Sequence, residues 1–257
     1  MPGPDCSVMP GSDSSVMPGP DRASLLIESC CTTLEEALSA QARGADRIEL
    51  CTDLSVGGLT PSRSLIRDVV QSLTIPVNVL IRPRFRVEPG MTEEVGLKRH
   101  SWLDPESHHA NGFSYESFIY EEDEIRQMID DIEYCKTIGA AGIVVGALMP
   151  DGRIDIAAMR RLVAASAPLP VTFHRAFDVS TEDPFEAVDQ IIALGCTRLL
   201  TSGQAPNAWE GRDRIRQLVA YAGDRLIILA GRGVTPANLT ALAAATGARE
   251  FHGTALP

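Results

Sequence analysis

Short apolar runs alternate along this chain with longer segments in which apolar residues recur at helical spacing. The short runs predict buried strands, and the longer segments, several of which open on a capping residue, predict helices. The predicted strands are 25–30, 46–51, 77–82, 142–146, the run that starts at 169, 198–202, 226–230 and 249–253. The predicted helices are 33–43, 62–73, 121–138, 155–165, 184–194, 209–221 and 236–245.

The strict alternation of eight strands with seven helices predicts an α/β fold, a TIM-type (β/α)8 barrel that lacks its eighth helix. An open, doubly wound sheet would carry a glycine-rich fingerprint after its first strand, where Cys30-Cys31-Thr32 stands instead. Because no helix follows the last strand, Leu25, Ile27 and Phe251 should form an uncovered apolar face. Such a face predicts either a homo-oligomer or a chain that has lost its last helix.

Two segments break the alternation. Residues 1–23 are rich in Pro, Gly, Ser and Asp without apolar periodicity, which predicts a disordered tail. Residues 85–116 are polar and aperiodic, which predicts an inserted loop after strand three, and His108-His109 within it are expected to be solvated. The remainder of 24–257 is predicted to be one barrel domain.

Composition narrows the classes of function. The chain has 257 residues, of which 44% are hydrophobic, and a net charge of −11, which disfavours nucleic acid and acidic membrane surfaces as partners. No apolar run approaches the ~20 residues of a membrane-spanning helix. The six cysteines have no spacing typical of a secreted disulfide framework. We therefore expect a soluble, cytoplasmic protein with reduced thiols.

The predicted interior of the barrel is unusually polar. The apolar face of each strand should meet the helices, so the other face points inward. A buried ion-pair network is the default interpretation for any single pair of inward groups, and it is the one favoured for Glu28 or Glu250 alone. For Glu49, Arg82 and His174 together a functional pocket is favoured, because barrel chemistry occurs at the C-terminal ends of strands. The predicted inward residues are Glu28, Cys30, Glu49, Cys51, Asn78, Arg82, Thr172, His174, Arg198, Ser202, Glu250 and His252.

Seven short motifs occur in order between about residues 25 and 255. They are Glu28-x-Cys30, Gly44–Cys51, Gly57–Ser62, Ile81–Arg84, Val171–Asp178, Leu200–Gly203 and Glu250–His252. In these motifs the chain resembles the CutC copper-homeostasis family. The resemblance implies a TIM barrel, a cytoplasmic location and Cu(I) binding, with Cys30 and Cys51 at the matching cysteine positions. The family's Gly-Gly-Asp-Phe-x-Tyr is replaced here by the insertion and Ser117-Phe118-Ile119-Tyr120, and the family's C-terminal helical segment is absent.

Two functional hypotheses remain open. In the first, the protein binds a copper ion. Cys30 and Cys51 end neighbouring strands that lie ~5 Å apart, which is close enough for two thiolates to share one Cu(I) ion. The alternative is that two buried cysteines meet by chance.

In the second, the protein is an enzyme that acts on a small phosphate- or carboxylate-bearing metabolite. Arg82 would hold the anion together with the turns after strands seven and eight, which contain Gly231, Gly233 and Gly253. These glycines could equally serve only to relieve tight turns. The candidates for proton transfer are Glu49, His174 and Asp178.

Overall fold

The computed structural model describes residues 25–83, 114–254 and 256, which form a closed barrel of eight parallel strands. The strands pair in chain order, and the last pairs back onto the first, so the predicted TIM-type barrel is confirmed. Parallel strands buried on both sides account for the short apolar runs of the sequence. The strands are β1 Leu26–Cys31, β2 Arg47–Leu50, β3 Val77–Leu80, β4 Gly142–Val145, β5 Val171–Phe173, β6 Arg198–Thr201, β7 Ile227–Gly231 and β8 Glu250–Gly253.

Seven α-helices surround the barrel in the described part of the chain. Their starts follow capping residues: Thr33 accepts a hydrogen bond from the Glu36 amide, and Asp183 accepts one from the Phe185 amide. The helices are α1 Leu34–Ala42, α2 Arg63–Ser72, α3 Glu122–Thr137, α4 Ile156–Ser166, α5 Pro184–Ala193, α6 Arg212–Ala222 and α7 Leu239–Thr246.

The last helix begins three residues later than the sequence pattern predicts. The Asn238 side chain accepts a hydrogen bond from the Thr235 amide at 2.9 Å and donates one to the Gly233 carbonyl at 2.8 Å. These bonds close a turn over residues 233–238, and the helix starts only after it.

The prediction of an uncovered apolar face on β1 and β8 is wrong. Leu25, Ile27 and Phe251 are only 6%, 4% and 0% exposed, because side chains of the flanking helices and of Leu256 complete the core around them. The described residues therefore present no apolar patch at this place that argues for self-association. Members of the same core include Ala37, Ala40, Leu239, Leu242, Ala243 and Leu256.

The predicted tail, 1–23, and most of the predicted insertion lie outside the described residues. The last three residues of the insertion, 114–116, are described, and they enter a short 3-10 helix at Tyr115–Phe118 whose last residue is buried. Within the described ranges, no helix combines the length and the apolar character needed to cross a bilayer.

Candidate functional site

A cavity of about 430 Å³ lies at the C-terminal ends of the barrel strands. Barrels of this type place their chemistry at this end. The structure brings most of the predicted site residues into its wall, together with two arginines that were not predicted. The chemically active wall residues are Cys30, Glu49, Cys51, Arg82, His174, Arg175, Arg232 and His252, and the glycines Gly233 and Gly253 also contribute.

The two predicted metal-ligating cysteines are adjacent. Cys30 belongs to β1 and Cys51 directly follows β2, and their sulfur atoms lie 3.5 Å apart. Both side chains are buried and share a small interior cluster with Leu80 and Val144. The contact with Cys51, burial and the nearby Glu49 carboxylate raise the pKa of the Cys30 thiol well above its usual value. A metal ion bound here would therefore displace protons from the thiols.

The remaining cysteines described by the structure lie elsewhere. Cys31 belongs to the outer core, and its sulfur approaches the Ser29 carbonyl at 3.8 Å. Cys135 and Cys196 are also buried in that outer core. Burial raises the pKa of each of these two thiols to about 12. They serve as matched controls for the pair in the cavity.

Glu49 contributes a buried carboxylate to the wall of the cavity. Its Oε2 atom is buried and has no hydrogen-bond partner in the described part of the chain. Burial raises the pKa of Glu49 to about 7, against the opposing effect of His252, whose Nδ1 lies 3.9 Å from Oε2. Ligand atoms of Cys30, Glu49 and His252 all lie within 4.8 Å of one another.

Deeper in the barrel, charged residues form an ion-pair network. Arg47 bridges two carboxylates: its Nε donates to Glu28, and its Nη2 donates to Glu250 at 2.7 Å. Arg198 also donates to Glu250, at 2.8 Å. Burial alone would raise the pKa of Glu28, but His252 and Arg47 lower it to about 2. The structural interpretation favoured for Glu28 and Glu250 agrees with this placement.

The network reaches the cavity through His252. Its Nδ1 atom lies 2.9 Å from Glu28 Oε1. Burial alone would lower the pKa of His252, but the carboxylates of Glu49 and Glu28 raise it above its usual value. An anchored ring nitrogen of this kind fixes the orientation of the imidazole toward the cavity.

Arg82 is buried in the cavity wall with carbonyl groups as its partners. Its Nη1 donates to the carbonyls of Val56 and Gly58 at 2.8 and 3.1 Å, and its guanidinium lies over the Phe118 ring at 4.8 Å. Among the described residues, no carboxylate lies within ion-pair distance of Arg82. Burial lowers the pKa of this guanidinium. A buried cation without a carboxylate suits an anionic ligand.

His174 directly follows β5, and among the described residues one of its ring nitrogens has no hydrogen-bond partner. Nδ1 accepts a hydrogen bond from the Ala176 amide at 3.2 Å, so the neutral ring carries its proton on Nε2. Nε2 is buried and has no hydrogen-bond partner in the described ranges. Burial, followed by the charge of Arg82, lowers the pKa of His174 to about 3. At neutral pH this histidine is therefore an uncharged hydrogen-bond donor.

The third candidate for proton transfer, Asp178, lies outside the cavity wall. Its carboxylate accepts hydrogen bonds from the hydroxyl of Thr201, the amide and hydroxyl of Ser202, the Gln204 amide and Arg175. Carboxylate oxygens with this many donors hold a loop in place, and here they fix the turn after β6. In this structure Asp178 has the environment of a positioning residue.

Of the three glycines predicted to bind an anion, two line the cavity and one does not. Gly233 and Gly253 line the cavity, and Gly233 has a φ of +70°, a left-handed conformation that favours glycine. Gly231 does not line the cavity. A Cβ atom there would lie 2.5 Å from Leu200 Cδ1, so this glycine allows close packing between β6 and β7.

Three arginines of the site were not predicted from the sequence. Arg47 has the same strand parity as Glu49 and Cys51, so the alternation rule could have found it. Arg175 and Arg232 lie in the turns after β5 and β7, where no periodicity applies. Their positions depend on the turn conformation, which at Arg232 is left-handed with a φ of +72°.

Comparison with known proteins agrees with the motifs. Residues 25–86 and 115–256 match the model of the CutC family. The chain belongs to the CutC family. The resemblance found in the sequence is thereby confirmed, and the stretch between the two matched segments falls within the predicted insertion.

Individual CutC relatives are similar over most of their length. A CutC family protein of Xanthomonas campestris pv. campestris is 42% identical over 229 residues, which cover 89% of this chain and 82% of that protein. One of Pasteurella multocida is 41% identical over 226 residues, or 88% and 80% of the two chains. A crystal structure from Streptococcus agalactiae, named for the copper homeostasis protein CutC, has a TM-score of 0.75 and 32% identity. It covers 91% of this chain and 100% of its own.

Proposed function

We propose that this CutC-family protein binds Cu(I) through Cys30 and Cys51 and contributes to copper homeostasis in the cytoplasm. The observation that carries the proposal is the pair of thiols 3.5 Å apart on neighbouring strands. Thiolates are soft ligands that select Cu(I), and a reducing compartment keeps both the thiols and the ion in the required state. The cavity beside the pair provides a path by which an ion can enter.

A titration of reduced protein with Cu(I) against a chromogenic competitor tests this proposal. The unaltered protein should bind one Cu(I) ion, and Cys30→Ser and Cys51→Ser should each abolish that binding, because one thiolate alone is a weak site. Cys135→Ser and Cys196→Ser should leave it unchanged, since both thiols lie outside the cavity. Equal losses in the two sets of variants would contradict the assignment.

The same cavity supports a second candidate function, an enzyme that acts on a small phosphate- or carboxylate-bearing metabolite. The specific observation is Arg82, a buried cation whose guanidinium donates hydrogen bonds to backbone carbonyl groups. The Nε2–H group of His174 and the backbone at Gly233 and Gly253 add donors around the cavity. In this alternative Glu49 and His174 would transfer protons, and Asp178 would hold the turn after β6.

Calorimetric titration with inorganic phosphate, and separately with oxalate, tests the second candidate. One of these anions should bind the unaltered protein, and Arg82→Met should abolish the binding while a melting curve shows that the barrel still folds. A protein that binds neither anion would contradict this alternative and would leave the copper proposal standing.

A further inference from the structure

We propose that Cys30, Glu49 and His252 form a second metal site, which takes a divalent ion of borderline softness such as Zn²⁺. Each residue offers one ligand atom, and the three atoms lie within 4.8 Å of one another. The site shares Cys30 with the copper proposal, but its other two ligands are a carboxylate and an imidazole. It therefore differs from the cysteine pair in two of its three ligands, Glu49 and His252.

The donor set selects the class of ion. Zn²⁺ accepts thiolate, imidazole and carboxylate ligands together, whereas Cu(I) favours sulfur and Mg²⁺ or Ca²⁺ favours oxygen. Three protein ligands with one open position are typical of zinc sites that also bind water or a substrate. Here the open position would face the cavity, whose wall all three residues share.

A second, independent observation points to a ligand at this place. Glu49 is 4% exposed, and its Oε2 atom has no hydrogen-bond partner within the described residues. A buried carboxylate oxygen without a donor is costly, and native proteins rarely keep one without a ligand or a water to satisfy it. The same oxygen lies 3.9 Å from Nδ1 of His252, so the carboxylate and the imidazole ring are neighbours in the wall of the cavity.

The surroundings of His252 match those of a metal-binding histidine. Its Nδ1 atom lies 2.9 Å from Glu28 Oε1, and Glu28 is itself held by Arg47. When Nδ1–H donates to a carboxylate, Nε2 carries the lone pair that binds an ion. Glu28 would thus be a positioning residue, which orients the imidazole without touching the metal.

Separate titrations with Zn²⁺ and with Cu(I) distinguish the two sites. Zn²⁺ should bind the unaltered protein with one-to-one stoichiometry in the presence of a competing chelator. Glu49→Gln should weaken Zn²⁺ binding by at least about tenfold, whereas one Cu(I) ion should still bind because both thiols of the copper pair remain. Cys51→Ser should abolish Cu(I) binding while Zn²⁺ still binds. Cys30→Ser should abolish the binding of both ions. Cys135→Ser is the matched control and should change neither.

Cobalt provides a measurement on the unaltered protein, which remains decisive if Glu49→Gln fails to fold. Co²⁺ in the proposed site should show the absorption of a tetrahedral ion with a charge-transfer band from one thiolate. A band with the intensity of two thiolates would overturn the proposal, because it would place the ion on Cys30 and Cys51. The absence of stoichiometric Zn²⁺ binding, or its loss in Cys51→Ser, would overturn it too, and neither result would affect the copper proposal.

Discussion

Replacing Arg47 tests how much the ion-pair network inside the barrel contributes to the free energy of unfolding. Arg47 is 5% exposed and joins Glu28 of β1 to Glu250 of β8, so Arg47→Met removes the cation that lies between two buried carboxylates. Breaking a buried ion pair by removing one partner costs about 3–5 kcal/mol. In the variant Glu250 still has its ion pair with Arg198, and Glu28 still has its contact with His252. We therefore expect the free energy of unfolding to fall by an amount near the lower end of this range, about 3 kcal/mol.

Urea unfolding at pH 7 measures this loss, and Arg161→Met is the matched control. Arg161 makes two hydrogen bonds to Glu122, but this pair lies on the surface, where water and salt screen it. The control should therefore change the free energy of unfolding very little. A loss for Arg47→Met no larger than that of the control would refute the account of the interior.

The stability difference between Arg47→Met and the unaltered protein should also depend on pH. The pKa of Glu28 is lowered from 4.5 to about 2 in the folded protein, so its ionised form stabilises the fold fully above pH 4.5. That contribution is lost as the pH falls from 4.5 towards 2. In Arg47→Met the pKa of Glu28 should rise, and the difference from the unaltered protein should shrink in acid. A difference that stays constant between pH 7 and about pH 3 would contradict this reasoning.

Two further substitutions test the packing against His174 and the turn after β6. Gly146→Ala should destabilise the protein by about 1–3 kcal/mol and abolish any binding of inorganic phosphate, because the new Cβ atom would lie 2.5 Å from His174 Nδ1. Unchanged phosphate affinity in calorimetry would show that His174 does not contact the anion. Asp178→Asn should cost about 1–3 kcal/mol in urea unfolding, because the NH2 group of the new side chain would face the Ser202 amide in either orientation. Unaltered stability would mean that Asp178 does not hold this turn.

The period of two along strands made part of the site predictable. Cys30, Glu49, Cys51 and His252 were all predicted to point inward, and all four line the cavity, because strand pairing leaves each side chain only two directions. The resemblance of the motifs to CutC added the expectation of copper, which parity alone cannot supply.

Other features depend on contacts between residues far apart in the chain. Most of the donors to Asp178 lie at the end of β6 and in the turn after it, more than twenty residues later in the chain, and no local pattern predicts them. The cover over Phe251 comes from side chains of helices and from Leu256, so counting helices suggested an exposed face that does not exist. Contacts between residues far apart in the chain determine the turns and the packing between elements. The alternation of side chains along a strand, in contrast, can be read from neighbouring residues.

The central claim is that Cys30 and Cys51 hold Cu(I) together, and anomalous diffraction from crystals loaded with Cu(I) under reducing conditions tests it most directly. We predict one strong copper peak within bonding distance of both sulfur atoms, at the place where they now lie 3.5 Å apart. A peak bonded to neither sulfur, or no ordered copper in crystals grown from protein that carries one equivalent, would contradict the account.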